Sequence, residues 1–127
     1  MLETRRLNSK DKVIITASLT GAVTTKKDNP NLPTQPEEIC ESALRCYEAG
    51  AAVVHIHVRD EQDNASMRFD IFEKTVGLIK KTGCPVLLNL TSSGGQGFSW
   101  EERIKPFQVL KPELASFDAG TMNWLNK

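Results

Sequence analysis

Strand-length apolar runs and apolar residues at helical spacing alternate along this chain, and that alternation is what most narrows its fold. Residues 13–19 (VIITASL) read as a strand closed by Thr20-Gly21. Residues 20–33 form a polar connection punctuated by Gly21, Asn29, Pro30 and Pro33. It is long for a link between strand and helix, and long loops in compact domains are often functional or mobile. Thr34 and Glu37 have the spacing of a capping box, Ile39, Ala43, Cys46 and Tyr47 recur at helical spacing, and Gly50 stops the helix. Residues 51–60 (AAVVHIHVRD) give a second strand and 61–68 a polar loop. Phe69, Phe72, Val76 and Ile79 mark a second helix, which Gly83 ends. Residues 84–90 (CPVLLNL) form a third strand, with Pro85 tolerated at its start. After the loop 91–97 (TSSGGQG), Ser99 and Glu102 repeat the capping-box spacing, and Pro106 is expected to end or kink the third helix. Residues 114–118 (LASFD) make a fourth strand that leads into Ala119-Gly120-Thr121-Met122-Asn123-Trp124.

The order β-α-β-α-β-α-β demands parallel strands, right-handed crossovers and helices packed on the sheet. It fits the N-terminal half of a (β/α)8 barrel better than a complete doubly wound domain. Residues 1–12 are expected to be a loosely held leader and 13–127 the half-barrel, incomplete as given. A full barrel takes roughly 250 residues, so four strands leave one sheet face partly uncovered. Their open edge predicts a homo-oligomer or pairing with a complementary half-barrel. Neither G-x-G-x-x-G after the first strand nor G-x-x-x-x-G-K-[ST] occurs, which argues against dinucleotide and P-loop chemistry.

The second strand carries the chemistry. Side chains alternate along a strand, so His55 and His57 project to one side while Val54, Ile56 and Val58 face a covering helix. A polar face is unusual on a buried parallel strand, so this one is expected to open onto a site at its C-terminal end. Two readings are open: two ligands of one metal ion, zinc first because imidazole nitrogen suits it, or two half-buried histidines satisfied by hydrogen bonds. Arg59 shares their face, or serves only to neutralise a carboxylate below the site. Asp60 is placed either to orient a histidine or to cap a helix or hold the loop. Hydroxyls and amides in TSSGGQG suit a carboxylate, and a plain connector is the alternative. Asp118 and Asn123 flank the last glycine turn without a clear role in chemistry.

With 16 basic and 16 acidic residues the net charge is +0, which gives no reason to expect nucleic acid or an anionic membrane as partner. The first residues, MLETRRLNSKDK, lack an apolar core, and no apolar run has transmembrane length, so a cytoplasmic protein is expected. Cys40, Cys46 and Cys84 are odd in number and lack C-x-x-C spacing, as suits reduced, mostly buried thiols.

Four stretches resemble the β-keto acid cleavage enzyme family: TASLTGAVTTKKDNPNLP, EAGAAVVHIHVRD, SSGGQG and LKPELASFDAGTMNW. They cover nearly the whole chain beyond its leader. The resemblance implies a zinc-dependent (β/α)8 barrel that cleaves a β-keto acid with acetyl-CoA, giving acetoacetate and a new acyl-CoA. By analogy His55 and His57 bind the metal, Ser92 and Gly95 lie on a loop holding the substrate carboxylate, and Thr121 makes a further substrate contact. The family's third, acidic metal ligand and its acid/base and arginine groups lie in a C-terminal half that these 127 residues do not include. In members that act on 3-keto-5-aminohexanoate a glutamate matches Val23 and faces the substrate amine. Valine cannot pair with an ammonium, so a neutral or more apolar β-keto acid is expected. An inactive or structural metal-binding half-barrel is the alternative, and another (β/α)8 lyase or aldolase a weaker one.

Overall fold

A computed structural model describes residues 12–118. The leader, apart from Lys12, and the segment 119–127 with Thr121 and Asn123 lie outside the described residues. The elements are β1 (Thr16–Ser18), α1 (Pro36–Glu48), β2 (Val53–Ile56), β3 (Val58–Arg59), β4 (Ala65–Ser66), α2 (Phe69–Lys81), β5 (Leu87–Leu90), α3 (Trp100–Leu110) and β6 (Leu114–Ala115). Strands β1, β2, β5 and β6 form one parallel sheet in that order. Each crossover therefore advances in the same direction, and right-handed crossovers that never reverse put every helix on one face. This is the layout of βα units in the first half of a (β/α)8 barrel; a doubly wound sheet reverses at its switch point.

The two faces differ accordingly. Val54, Ile56, Leu88 and Leu90 are almost fully buried and pack with Ile39 and Ala43 of α1 and with Phe72, Val76 and Ile79 of α2. Burial of each large side chain contributes about 1.5–3 kcal/mol. The register Ser18–His55–Asn89–Leu114 lies on the other face, where Leu87 and Leu114 are each 42% exposed.

Several boundaries differ from the sequence expectation. Proline disfavours helical geometry in the residue before it, so Gln35 becomes the cap of α1 in place of Thr34 and Pro36 opens the helix. Glu38, not Glu37, then turns back to accept from the Thr34 and Gln35 N–H groups at 2.8 and 3.1 Å. Glu37 instead pairs with Lys74 of α2 at 2.7 Å. The box at α3 is as expected, with Ser99 Oγ accepting from Glu102 N–H and Glu102 from Ser99 N–H. Pro106 does not end that helix, which runs on to Leu110 and stops at Lys111 in the left-handed region. The buried proline ring and the packing of Phe107 and Leu110 on the core outweigh one lost backbone bond.

The strands are shorter than the apolar runs that announce them. Val13 and Ile14 are exposed, and Ile15 contributes only its carbonyl, which accepts from Ala52 and Val53. The third strand starts at Leu87, beyond Pro85, and the fourth covers only Leu114 and Ala115. The histidine strand is also interrupted. Past His57, Val58 and Arg59 leave the parallel sheet and pair antiparallel with Ala65 and Ser66, inside the stretch expected to be loop. Asp60 closes that hairpin by accepting from the Gln62 and Asn64 N–H groups at 2.9 and 2.8 Å.

Cys40, Cys46 and Cys84 are free thiols, half-buried beside the core. Among the described residues no helix is long and apolar enough to cross a membrane.

Candidate functional site

The C-terminal ends of β2 and β5 bring three polar side chains together. His55 and His57 turn their rings edge to face, centroids 5.0 Å apart, with the two Nε2 atoms 3.1 Å from each other. Strand register sets Asn89 beside His55, and the His55 Nδ1 lies 3.1 Å from Asn89 Oδ1. An amide oxygen only accepts, so His55 carries its proton on Nδ1 and leaves a lone pair on Nε2. Sequence reasoning missed Asn89, although a lone polar residue in LLNL near the end of a buried strand was a usable signal.

His57 is the more perturbed of the two histidines. Burial pushes its pKa down to about 4, and positive charge from His55 and Arg59 adds to the effect while Asp118 opposes it. A neutral imidazole keeps a free lone pair at neutral pH. Its Nδ1 is buried with no hydrogen-bond partner among the described residues, so the pair is not self-sufficient as a polar cluster. No group of three or more His, Cys, Asp or Glu side chains among the described residues is placed to hold a metal ion. The arrangement is thus a two-nitrogen donor set.

Two loops border this edge, each gripped by an arginine. Arg59 is only 3% exposed, and among the described residues it forms no ion pair with a carboxylate, the role weighed from the sequence. Its guanidinium donates to the carbonyls of Gly21 (2.8 and 3.1 Å), Thr24 (2.9 Å) and Asp63 (3.0 Å), which ties down the loop between β1 and α1. Asp60, of the roles weighed, has the loop role. Val23, on the loop that Arg59 holds, is 83% exposed.

The second loop, 91–97, contains Ser92 and Gly95. Ser92 Oγ donates to the Ser116 carbonyl at 2.6 Å, so its proton is engaged within the fold while its lone pairs remain. Arg103 of α3 reaches back to the carbonyls of Ser92, Ser93, Gly95 and Phe98. In the sequence it looks like an ordinary surface charge in SWEERIK, and nothing local marks it. On the other side, a Cβ at Gly94 would collide with the Met67 side chain, and its φ of +59° lies in the left-handed region, so this position requires glycine. Thr121 lies outside the described residues.

The family model for beta-keto acid cleavage enzyme matches residues 12–127. The chain is 44% identical over 115 residues to the 3-keto-5-aminohexanoate cleavage enzyme of Acetoanaerobium sticklandii, covering 90% of this chain and 41% of that one. It is 38% identical over 117 residues to the 3,5-dioxohexanoate:acetyl-CoA acetone transferase of Paraburkholderia graminis, covering 91% and 37%. Among solved structures, ObcA in a ternary complex with a C4-CoA adduct and oxalate superposes with a TM-score of 0.62 at 29% identity, over 69% of this chain and 23% of that one. The chain spans about two fifths of the length of these two curated relatives. With a family model matched from Lys12 to Lys127 and relatives aligned over nine tenths of its length, the chain belongs to the β-keto acid cleavage enzyme family.

Proposed function

We propose that this chain supplies the histidine half of a zinc-dependent enzyme that cleaves a β-keto acid with acetyl-CoA, giving acetoacetate and a new acyl-CoA. The names of the relatives support acetyl-CoA as co-substrate. The observation that carries the zinc reading is the approach of His55 Nε2 and His57 Nε2 to 3.1 Å. Two nitrogens bound to one tetrahedral zinc at its usual bond length lie about 3.3 Å apart, so the donor set fits with little adjustment. Bound there, zinc supplies Lewis acidity toward a keto oxygen, which cleavage of the neighbouring carbon–carbon bond requires.

The chain's own residues have separate tasks in this reading. Asn89 fixes the tautomer of His55 so that its Nε2 offers a lone pair, and burial keeps His57 neutral; without metal His57 Nε2–H donates to His55 Nε2, and with metal bound that proton would sit on His57 Nδ1 so that both Nε2 atoms face the ion. Ser92, Gly95 and Thr121 hold the substrate carboxylate. Exposed Val23 offers no partner for an ammonium, which selects a neutral or more apolar β-keto acid. The third, acidic ligand and the acid/base groups come from the other half of the barrel. That half seats on the open sheet face and the β6 edge, either as further polypeptide or as a partner in an oligomer. The enzyme acts in the cytoplasm.

The test is His57→Ala in the enzyme, read by zinc content and by acetoacetate formation from acetyl-CoA and a panel of β-keto acids. Both should be lost. Retained turnover would overturn the assignment, and a wild-type protein that binds zinc without turnover would be the inert half-barrel instead.

A further inference from the structure

Arg59 commits its N–H donors to backbone carbonyls of two separate segments. Nε and Nη2 both donate to Gly21 (3.1 and 2.8 Å), Nη2 also to Thr24 (2.9 Å), and Nη1 to Asp63 in the β3–β4 hairpin (3.0 Å). The side chain is almost completely buried and follows His57 by two residues. When the carbonyls of Gly21 and Thr24 converge on one guanidinium, the residues between them must arch away from it. Those residues are Ala22 and Val23. Neither makes a backbone hydrogen bond among the described residues, and the Val23 side chain is 83% exposed. Gly21 opens the arch at a φ of +72°, in the left-handed region, where an added Cβ would meet nothing.

The rest of this loop is fastened as well. Thr20 Oγ1 donates to the Pro33 carbonyl at 2.8 Å and closes the base, Thr25 donates to the Asp28 carboxylate, and Lys26 pairs with Glu38 of α1 at 2.7 Å. The hairpin is in turn tied to the start of α1, where Gln35 Nε2 donates to Asp63 Oδ1 at 2.9 Å and to the Asp60 carbonyl at 3.2 Å. The long connection after β1 is therefore a frame, with an apolar side chain standing free on it. A support already ordered loses little entropy when a ligand packs against it.

We propose that Arg59 is a positioning residue for substrate selection: its fork holds residues 21–24 as an arch that presents Val23 to the end of the β-keto acid remote from the carboxylate. The identity of the ligand rests on the function proposed above; the arch and its dependence on Arg59 do not. Lysine keeps the positive charge beside His57 but cannot hold Gly21, Thr24 and Asp63 together, because it lacks the rigid fork. Losing the fork should loosen the arch and weaken ground-state binding, which is a KM effect, while the histidine pair stays as it is.

Two measurements test this on wild type, Arg59→Lys and Gly21→Ala, the last of which disturbs the arch from the chain side. ¹⁵N relaxation of the full chain gives order parameters for residues 21–24. In the wild type they should match the α1 and α2 core, at about 0.85, and in both variants they should fall while the core is unchanged. Kinetics of the enzyme with acetyl-CoA and 3-oxohexanoate, a neutral β-keto acid with an apolar tail, should show KM for the keto acid raised about fivefold in both variants. kcat should change by less, and zinc content should equal that of wild type. Mobile residues 21–24 in the wild type overturn the proposal, as do order parameters in Arg59→Lys equal to wild type. If the lysine variant fails to fold, Gly21→Ala carries both comparisons with the same reading. A loosened arch with KM unchanged overturns the selection role. If the wild type turns over no β-keto acid, the function proposed above falls and takes the selection role with it, and the order parameters alone decide the arch.

Discussion

The loops after β1 and β5 are held by the same device, an arginine that donates only to backbone carbonyls, yet the two arginines sit in different surroundings. Arg59 is almost completely buried and binds carbonyls drawn from two separate segments, the loop after β1 and the β3–β4 hairpin. Arg103 is half-buried and binds carbonyls of its own loop, within about one helix length of itself in sequence. A buried guanidinium stripped of water must find its partners in the fold, and its removal leaves those partners stranded. A half-exposed one can be replaced by water. Arg59 is therefore part of what folds the sheet edge, whereas Arg103 ties a single loop back onto α3.

The sharpest way to break this contrast is Arg59→Met. Stranding three inward carbonyls should lower stability by about 3 kcal/mol, measured by urea denaturation. A loss as small as that of an exposed arginine would erase the distinction.

Acid should separate the loops next. The unfolded chain protonates His57 near its ordinary value of 6.5, while the folded chain resists until about 4. Stability is therefore intact above pH 6.5 and declines as pH falls toward 4, because the unfolded state binds the proton first. A melting temperature lower by about 5 °C at pH 4.5 than at pH 7 is expected. His57→Gln should flatten that decline. Arg59→Met should shrink it, since Arg59 is one of the positive neighbours that keep His57 neutral, and Arg103→Gln should leave it unchanged. The smallest effect is Arg103→Gln on stability, about 1 kcal/mol in the same denaturation experiment.

What could be read from the sequence follows from range. The alternation of strands and helices, the helix ends at Gly50 and Gly83 and the capping box at Ser99 all depend on neighbours in the chain, and all were legible. The pairing of His55 with His57 was legible for the same reason, since a two-residue period is local. Asn89, Arg59 and Arg103 act across the sheet or between loops, and nothing near them in sequence says which carbonyl or ring they will meet. The hairpin of β3 and β4 was hidden because its two strands are two residues each and one of them lies in a polar stretch. Gln35 displaced Thr34 as cap through one proline, and Pro106 stayed helical because of what it packs against.

The strand order has a consequence for how the molecule is made. Among the described strands of the main sheet, each one after β1 pairs with the strand synthesised just before it. Each pairing closes about one βα unit of chain, as from Thr16 to Val53 and from Val53 to Leu87, and none of them has to span several units. Assembly can keep pace with the ribosome, each new unit docking on a template already in place, while the outer edge of β1 and the edge of the newest strand await their partners.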